Sequence, residues 1–260
     1  MGPATDPERD FPWWLVAVTV LIGGAYLAIL NDEVLSQTFA TLRRGVAITI
    51  FVTVVSFAFA TVVGLGLALM SLSGNVVLRQ IARFYVEVVR GIPILVLLLY
   101  VAFVFAPALV ALWNWTGLPE IRTRDFSLLW RAILALVIAY SAFIAEVFRA
   151  GLQSVDPGQI EAAKALGLKR WPRFRHVIMP QAIRTILPPL GNDFVAMVKD
   201  SSLVSVVGVL DLAQLGKLTA SGNFRYFETY NIVALIYLTM TILLSLALRG
   251  LERRLQQRRG

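Results

Sequence analysis

Long apolar runs separated by short polar stretches dominate the chain. Six of them reach membrane-helix length: Trp13 to Leu30, Val46 to Ser71, Ile92 to Trp113, Leu128 to Phe148, roughly Pro189 to Leu210, and Tyr230 to Leu248. A spanning helix needs about 20 mainly apolar residues, and helix formation satisfies its own backbone groups inside lipid. The fifth run is the least regular, because Asn192, Asp193, Lys199 and Asp200 interrupt it. Trp13, Trp14, Trp113, Trp115 and Trp130 fall near run ends, where amphipathic rings prefer the headgroup layer.

Composition agrees with this pattern. The chain is 58% hydrophobic and 15% charged, with a mean hydropathy of +0.73, whereas an ordinary globular domain is about 45–50% apolar and about 25% charged. The expected fold is therefore an all-α membrane protein of about six transmembrane helices. Placing both termini in the cytoplasm collects Arg9, Arg79, Arg83, Arg90, the cations from Arg149 to Arg184, and those from Arg249 to Arg259 inside. It leaves Arg43, Arg44, Arg122, Arg124, Arg131, Lys217 and Arg225 outside, the asymmetry expected of a cytoplasmic excess of Lys and Arg. The net charge of +8 thus follows from topology and does not call for nucleic acid; the basic tail reads as an anchor on anionic lipid. The leader Met1 to Pro12 is acidic on balance and no small-x-small cleavage site follows the first run, which argues for a retained helix over a secretory signal. Cysteine is absent, which excludes disulfides and thiolate metal sites.

The loop between the fourth and fifth runs, about 149–184, carries its own helix signals. Asp156 is placed to cap a helix, with Pro157 at its first position and Gln159 spaced to close a capping box. That helix reaches about Leu166, and Gly167 suits the left-handed residue that ends it. Trp171-Pro172 opens a second short helix expected to stop near Pro180, giving a helix-turn-helix outside the membrane.

The stretch Glu161-Ala162-Ala163, three residues, Gly167, nine residues, then Val177-Ile178-Met179-Pro180 resembles the EAA loop of the permease subunits of ATP-binding cassette (ABC) importers. Val177 and Met179 stand for the usual Ile and Leu, mild apolar exchanges. Tyr85-Val86-Glu87-Val88-Val89-Arg90-Gly91-Ile92-Pro93, Gly158-Gln159, Leu187-Pro188-Pro189-Leu190-Gly191-Asn192 and Lys199-Asp200-Ser201-Ser202-Leu203 are similar to the polar amino acid branch of that family, the histidine, glutamine and arginine type. Ile92 and Leu97 depart from its pattern, where Thr and Gln are common.

The resemblance implies a five-helix importer core at 39–251, preceded by an additional helix with its tail and linker at 1–38 and followed by a basic cytoplasmic tail at 252–260. It also implies a second permease chain, identical or homologous, two ABC ATPase subunits, an extracytoplasmic solute-binding protein, a polar amino acid as cargo, and a bacterial inner membrane. ATP and Mg would sit on the ATPase subunits, with no cofactor held by this chain. The only Gly-Lys pair, Gly216-Lys217, has Asp211 where a phosphate loop needs its first Gly. Glu161, Ala162, Ala163, Gly167 and Pro180 are the expected ATPase-coupling residues: small side chains allow close backbone approach, and Glu161 near a helix start complements the macrodipole.

For the substrate path the candidates are Tyr140, Ser141, Asn192, Asp193, Lys199, Asp200 and Ser202. Intramembrane charges must face protein or water, and a zwitterion offers complementary groups; interhelical pairing is the competing account. Glu146 with Arg149, and Glu87 with Arg90, are spaced to pair on one helix face and stand as gating elements together with Pro93. Pro188, Pro189 and Gly191 are expected to break the fifth helix near its entry as a hinge between loop and pore, with a simple helix kink as the competing account. A membrane enzyme is disfavoured, since His176 is the only histidine and no nucleophile, base or metal set assembles. A stand-alone channel or ion-coupled secondary transporter is the alternative, with Lys199 and Asp193 suited to ion coupling.

Overall fold

A computed structural model of the chain describes residues 13–257, with side chains through residue 252. The leader Met1 to Pro12 with Arg9, and the side chains of the tail cations from Arg253 to Arg259, lie outside what it describes. The described elements are helical, and no strand occurs among them.

In chain order they are α1 (Trp13–Asn31), α2 (Glu33–Ser71), α3 (Val76–Gly91) and α4 (Ile94–Tyr100), which passes through a π-helical turn (Val101–Phe105) into α5 (Ala106–Trp115). There follow α6 (Leu128–Gln153), α7 (Pro157–Ala165) and α8 (Arg170–Arg173), then a second π-helical turn (Phe174–Ile178) that runs into α9 (Met179–Asp200). A 3-10 segment (Ser201–Val207), α10 (Leu212–Asn223) and α11 (Tyr226–Gln257) complete the chain.

Five stretches are long and apolar enough to cross a membrane: α1, α2, the α4–α5 rod, α6, and Tyr226–Glu252 of α11. The fifth predicted run is not among them. Its helix begins about ten residues earlier than Pro189 and ends at Asp200, and residues 201–207 tighten into a 3-10 helix instead of extending it to Leu210. Pro188, Pro189, Asn192, Asp193, Lys199 and Asp200 dilute the apolar pattern of α9, which is why hydropathy alone mislocated it.

α6 is the centre of the bundle. Of its most apolar stretch 61% is buried, against 6% for α1. Ala132, Ala135, Ala139, Ala142 and Ala145 are all buried, and such small side chains let membrane helices approach closely. α2 packs along it most extensively. At Gly64 of α2 an added Cβ would lie 2.9 Å from Ile144 Cγ2 and 3.0 Å from the Ser141 carbonyl oxygen, so nothing larger than glycine fits there without moving α6.

Two polar devices hold the ends. Arg131, buried near the start of α6, donates to the carbonyls of Phe126 (2.7 Å), Ala102 (3.2 Å) and Thr123, and its guanidinium lies over the Phe126 ring. Its link to Ala102 ties α6 to the π-helical turn, where the i to i+5 hydrogen-bond pattern loosens the regular ladder. In a second cluster, where α1, α2, α10 and α11 meet, fully buried Asp211 caps α10 by accepting from the Gln214 amide (2.9 Å). It also accepts from Tyr237 Oη (3.3 Å), while Thr49 Oγ1 accepts from the Leu212 amide (3.2 Å).

α1 runs antiparallel to α11. Tyr26 Oη donates to Thr239 Oγ1 at 3.3 Å, and Arg249 lies 5.5 Å from the centre of the Trp14 ring. The start of α1 and the end of α11 therefore share one end of the bundle, opposite the short connections α1–α2, α5–α6 and α10–α11.

Candidate functional site: the coupling loop and the α9 path

The projecting loop begins as its sequence dictates. Asp156 Oδ1 accepts from the Gly158 amide at 2.8 Å, Pro157 occupies the first helical position, and α7 ends at Leu166, followed by Gly167 in the left-handed region (φ 76°). The amides of Gly167 and Leu168 donate to the carbonyls of Lys164 and Ala163, which closes the helix end. The capping box does not form. Gln159 instead accepts from Gln181 Nε2 at 2.6 Å, which ties α7 to the first turn of α9.

A second correction concerns Pro180. The chain does not stop there: helix continues from Arg170 through the π-helical turn into α9, with Pro180 in the first turn of the α-helical part. A proline costs nothing at a position whose backbone donor has no helical partner, and the widened turn before it absorbs the change of register. The loop is therefore a short free helix pinned to a long one, with no slack between them.

At its tip Glu161, Ala162 and Gly167 are exposed, and Ala163 is buried beneath them. Leu166 is 83% and Trp171 67% exposed, with Trp171 stacked on Phe174 at 6.0 Å. In the sequence Leu166 reads only as the end of the first loop helix and Trp171 as the start of the second; their exposure marks them as apolar positions out of place in a charged loop.

In the bundle the structure joins some candidates and separates others. Tyr140 Oη donates to Asp200 Oδ2 at 2.7 Å, linking α6 to the end of α9. Ser141 is occupied: it lies 2.8 Å from Tyr85 Oη and donates to the Ile138 carbonyl at 2.9 Å, so it fastens α3 to α6. One oxygen of Asp193, Oδ2, is buried without a hydrogen-bond partner. Asn192 and Lys199, two helical turns apart on α9, are exposed, and Ser202 is half-buried.

The gating candidates divide in the same way. Arg149 makes a bidentate ion pair with Glu146, from Nε (3.1 Å) and Nη2 (2.6 Å), and donates from Nη1 to Gln153 at 2.8 Å. The expected Glu87–Arg90 pair is absent: Arg90 turns toward α6, its guanidinium 5.5 Å from the centre of the Phe143 ring. Across the helix-to-helix gap a cation over an aromatic face competes with a solvated pair along α3. Pro93 caps α4 and sets the bend from α3. Pro188, Pro189 and Gly191 do not break α9, which runs through them from Met179 to Asp200. Buried Ile186 packs against Gly151 of α6 just before the two prolines, and neighbouring helices make such prolines tolerable in a membrane bundle.

Residues 60–260 match the model of the family described as binding-protein-dependent transport system inner membrane component. The chain is 37% identical over 215 residues to the glutamine transport system permease protein GlnP of Escherichia coli K12, covering 83% of this chain and 93% of that one. It is 38% identical over 230 residues to the probable glutamine ABC transporter permease protein GlnM of Bacillus subtilis, covering 88% and 99%. A crystal structure of an amino acid ABC transporter with histidines matches at 39% identity and a TM-score of 0.71, covering 83% of this chain and 94% of that one. The fold alone recurs in the MetNI methionine ABC transporter, at 24% identity and a TM-score of 0.67. These matches overturn the alternative of a stand-alone channel or secondary transporter. In this family ATP hydrolysis belongs to separate subunits and the permease sits in the inner membrane. The chain belongs to the family of binding-protein-dependent transport system inner membrane components, as a permease subunit of an ABC importer.

Proposed function

We propose that this permease imports an amino acid, a polar one, delivered by an extracytoplasmic solute-binding protein, with a second permease chain completing the pore. Two ABC ATPase subunits, carrying ATP and Mg, drive it. The reading of the cargo rests on relatives whose names specify glutamine or amino-acid transport. The excess of Lys and Arg at the end of the bundle that carries α7, the start of α1 and the end of α11 supports reading that end as cytoplasmic.

The observation that carries the proposal is the loop tip. A rigid pair of helices presents Glu161, Leu166, Gly167 and Trp171 to solvent and returns directly into α9. An exposed Leu and Trp on an otherwise charged loop are what a groove on a partner would cover. Force applied at α7 reaches α9 through Gln159 and Gln181, and α9 carries the intramembrane charges. Asp193, with its unpaired buried oxygen, and the Tyr140–Asp200 link are the proposed contacts for the ammonium end of the cargo. Lys199 and Asn192 on the same helix, with Ser202 in the 3-10 segment that follows it, are the proposed contacts for its carboxylate and polar groups.

The test is co-purification of the permease with its ATPase, followed by reconstitution with the binding protein and ATP-dependent uptake of labelled amino acids. Uptake that survives a hydrolysis-dead ATPase would sink the import reading.

A further inference from the structure

Between the end of α2, α3 and α6 lies a half-enclosed cavity of about 360 Å3. Its floor is apolar, formed by Leu67, Ala82, Val86 and Ala145. Its walls carry charges of both signs: Arg83 and Glu87 from α3, Glu146 and Arg149 from α6.

The two walls differ. On α6 the charges are spent on each other, because Glu146 accepts twice from Arg149 and Gln153 accepts from its remaining nitrogen. On α3, Arg83 and Glu87 stand one turn apart with neither an ion pair nor a side-chain hydrogen bond among the described residues. Their order disfavours mutual pairing, since an acid preceding a base by four residues is the better geometry and here the base comes first. A free guanidinium and a free carboxylate above an apolar floor are complementary to a small zwitterion: its carboxylate to Arg83, its ammonium to Glu87, its side chain over Ala82 and Val86. The volume falls within the range of small-molecule sites, about 300–1,000 Å3.

The cavity is separate from the Tyr140–Asp200 link, which lies deeper in α6 at the far end of α9. Gln153 on its wall is three residues before Asp156, the cap of α7, so the cavity abuts the root of the projecting loop.

We propose that this cavity is a second binding site, for a free α-amino acid arriving from the loop side of the bundle. Its occupancy bridges α3 to α6 beside the root of α7 and restrains the motion by which the loop works the bundle, so accumulated product slows further import. The identity of the ligand rests on the amino acid reading above; the existence of a zwitterion site does not.

The experiment uses the whole transporter in proteoliposomes loaded with ATP, with or without millimolar L-glutamine in the lumen on the loop side. Initial uptake of external labelled L-glutamine and ATP hydrolysis are followed. In the wild type luminal glutamine lowers both several-fold. Arg83→Gln abolishes that inhibition while uptake into a glutamine-free lumen stays at the wild-type rate, and Glu87→Gln weakens the inhibition. Equilibrium binding of labelled L-glutamine to the detergent-purified permease–ATPase complex, without binding protein, shows a site that Arg83→Gln removes. Absence of inhibition in the wild type, or inhibition of equal size in Arg83→Gln, overturns the proposal. So does inhibition that follows the phosphatidylethanolamine content of the vesicles and not the luminal amino acid, which assigns the cavity to a lipid headgroup. If the wild type takes up no amino acid, the import reading fails by itself, and the binding measurement still decides the cavity.

Discussion

The projecting loop and the α9 path are joined end to end, yet they obey different physics. In the loop, function sits on short-range rules: a cap at Asp156, a proline at the first helical position, a left-handed glycine at 167, all within a dozen residues. In the path, the candidates that are held depend on partners from other helices, Asp200 on Tyr140, Ser141 on Tyr85, and α9 itself on α6, while Asp193 keeps an unpaired buried oxygen. On the proposed reading the loop acts through an exposed, stiff tip and the path through groups set among neighbouring helices. Substitutions in the first should therefore abolish coupling and spare the fold, and those in the second should divide between assembly and affinity.

The largest effect is expected at Gly167. Its φ of 76° is a conformation that a residue with a Cβ adopts at about 1–2 kcal/mol, and no neighbour lies near enough to compensate. Gly167→Asp adds a charge at the tip as well. Membrane abundance should stay at the wild-type level while ATP-dependent uptake is lost; retained uptake would mean the tip does not bear on the motor. Trp171→Ala and Leu166→Asp, which remove exposed apolar contact without touching the turn, should weaken co-purification of the ATPase. If they leave it unchanged, the docking surface lies elsewhere on the loop.

Next in size is Gly64→Val, on the enclosed side of the comparison. The added atoms would press on the α6 backbone at Ser141 and Ala145, and overpacking of this kind costs about 1–3 kcal/mol. Loss of folded permease from the membrane, measured by fluorescence-detected size exclusion, is the expected outcome. Wild-type yield would show that α2 and α6 are looser than their contact implies.

What could be read from the sequence follows the same division. Local signals placed α7 and its cap to within a residue, because a cap, a proline and a glycine act on their immediate neighbours. They failed at Pro180 and at Pro188-Pro189, where a proline normally marks an end. There a π-helical turn and the packing of α9 on α6 decide the outcome, and neither is encoded in the tripeptide around the proline. The Glu146–Arg149 pair was legible from its spacing on one helix, but the same spacing misled at Glu87 and Arg90, where a ring on another helix takes the cation. Arg90 over Phe143 and Tyr140 with Asp200 were not, since the first joins α3 to α6 and the second spans 60 positions of sequence. The apolar count located five of the six runs and misplaced the fifth, because the polar residues of α9 lower its hydropathy.

Within the path, Asp193→Asn should separate cargo binding from structure. Asp193 carries a buried oxygen with no partner, so the structure gains nothing visible from its charge, and an intramembrane carboxylate is costly to retain unless a ligand uses it. The amide keeps the shape and removes the charge. The expected outcome is normal abundance with a raised KM for amino acid uptake; lowered abundance with an unchanged KM would make Asp193 a packing residue.

The smallest effect is expected at Lys199. It is exposed in the single chain, one residue before the Asp200 that Tyr140 holds, and two helical turns from exposed Asn192. In the proposed importer an exposed ammonium at that place faces either the second permease or the water of the pore, and no side chain of its own chain pairs with it among the described residues. Lys199→Ala therefore leaves folding intact and shifts selectivity among amino acids by a modest factor, largest for cargo whose carboxylate is spaced to reach it. Competition assays with a panel of unlabelled amino acids measure this directly. A uniform fall across the panel, matched by a fall in membrane abundance, would place Lys199 in the contact between the two permeases and remove it from the cargo path.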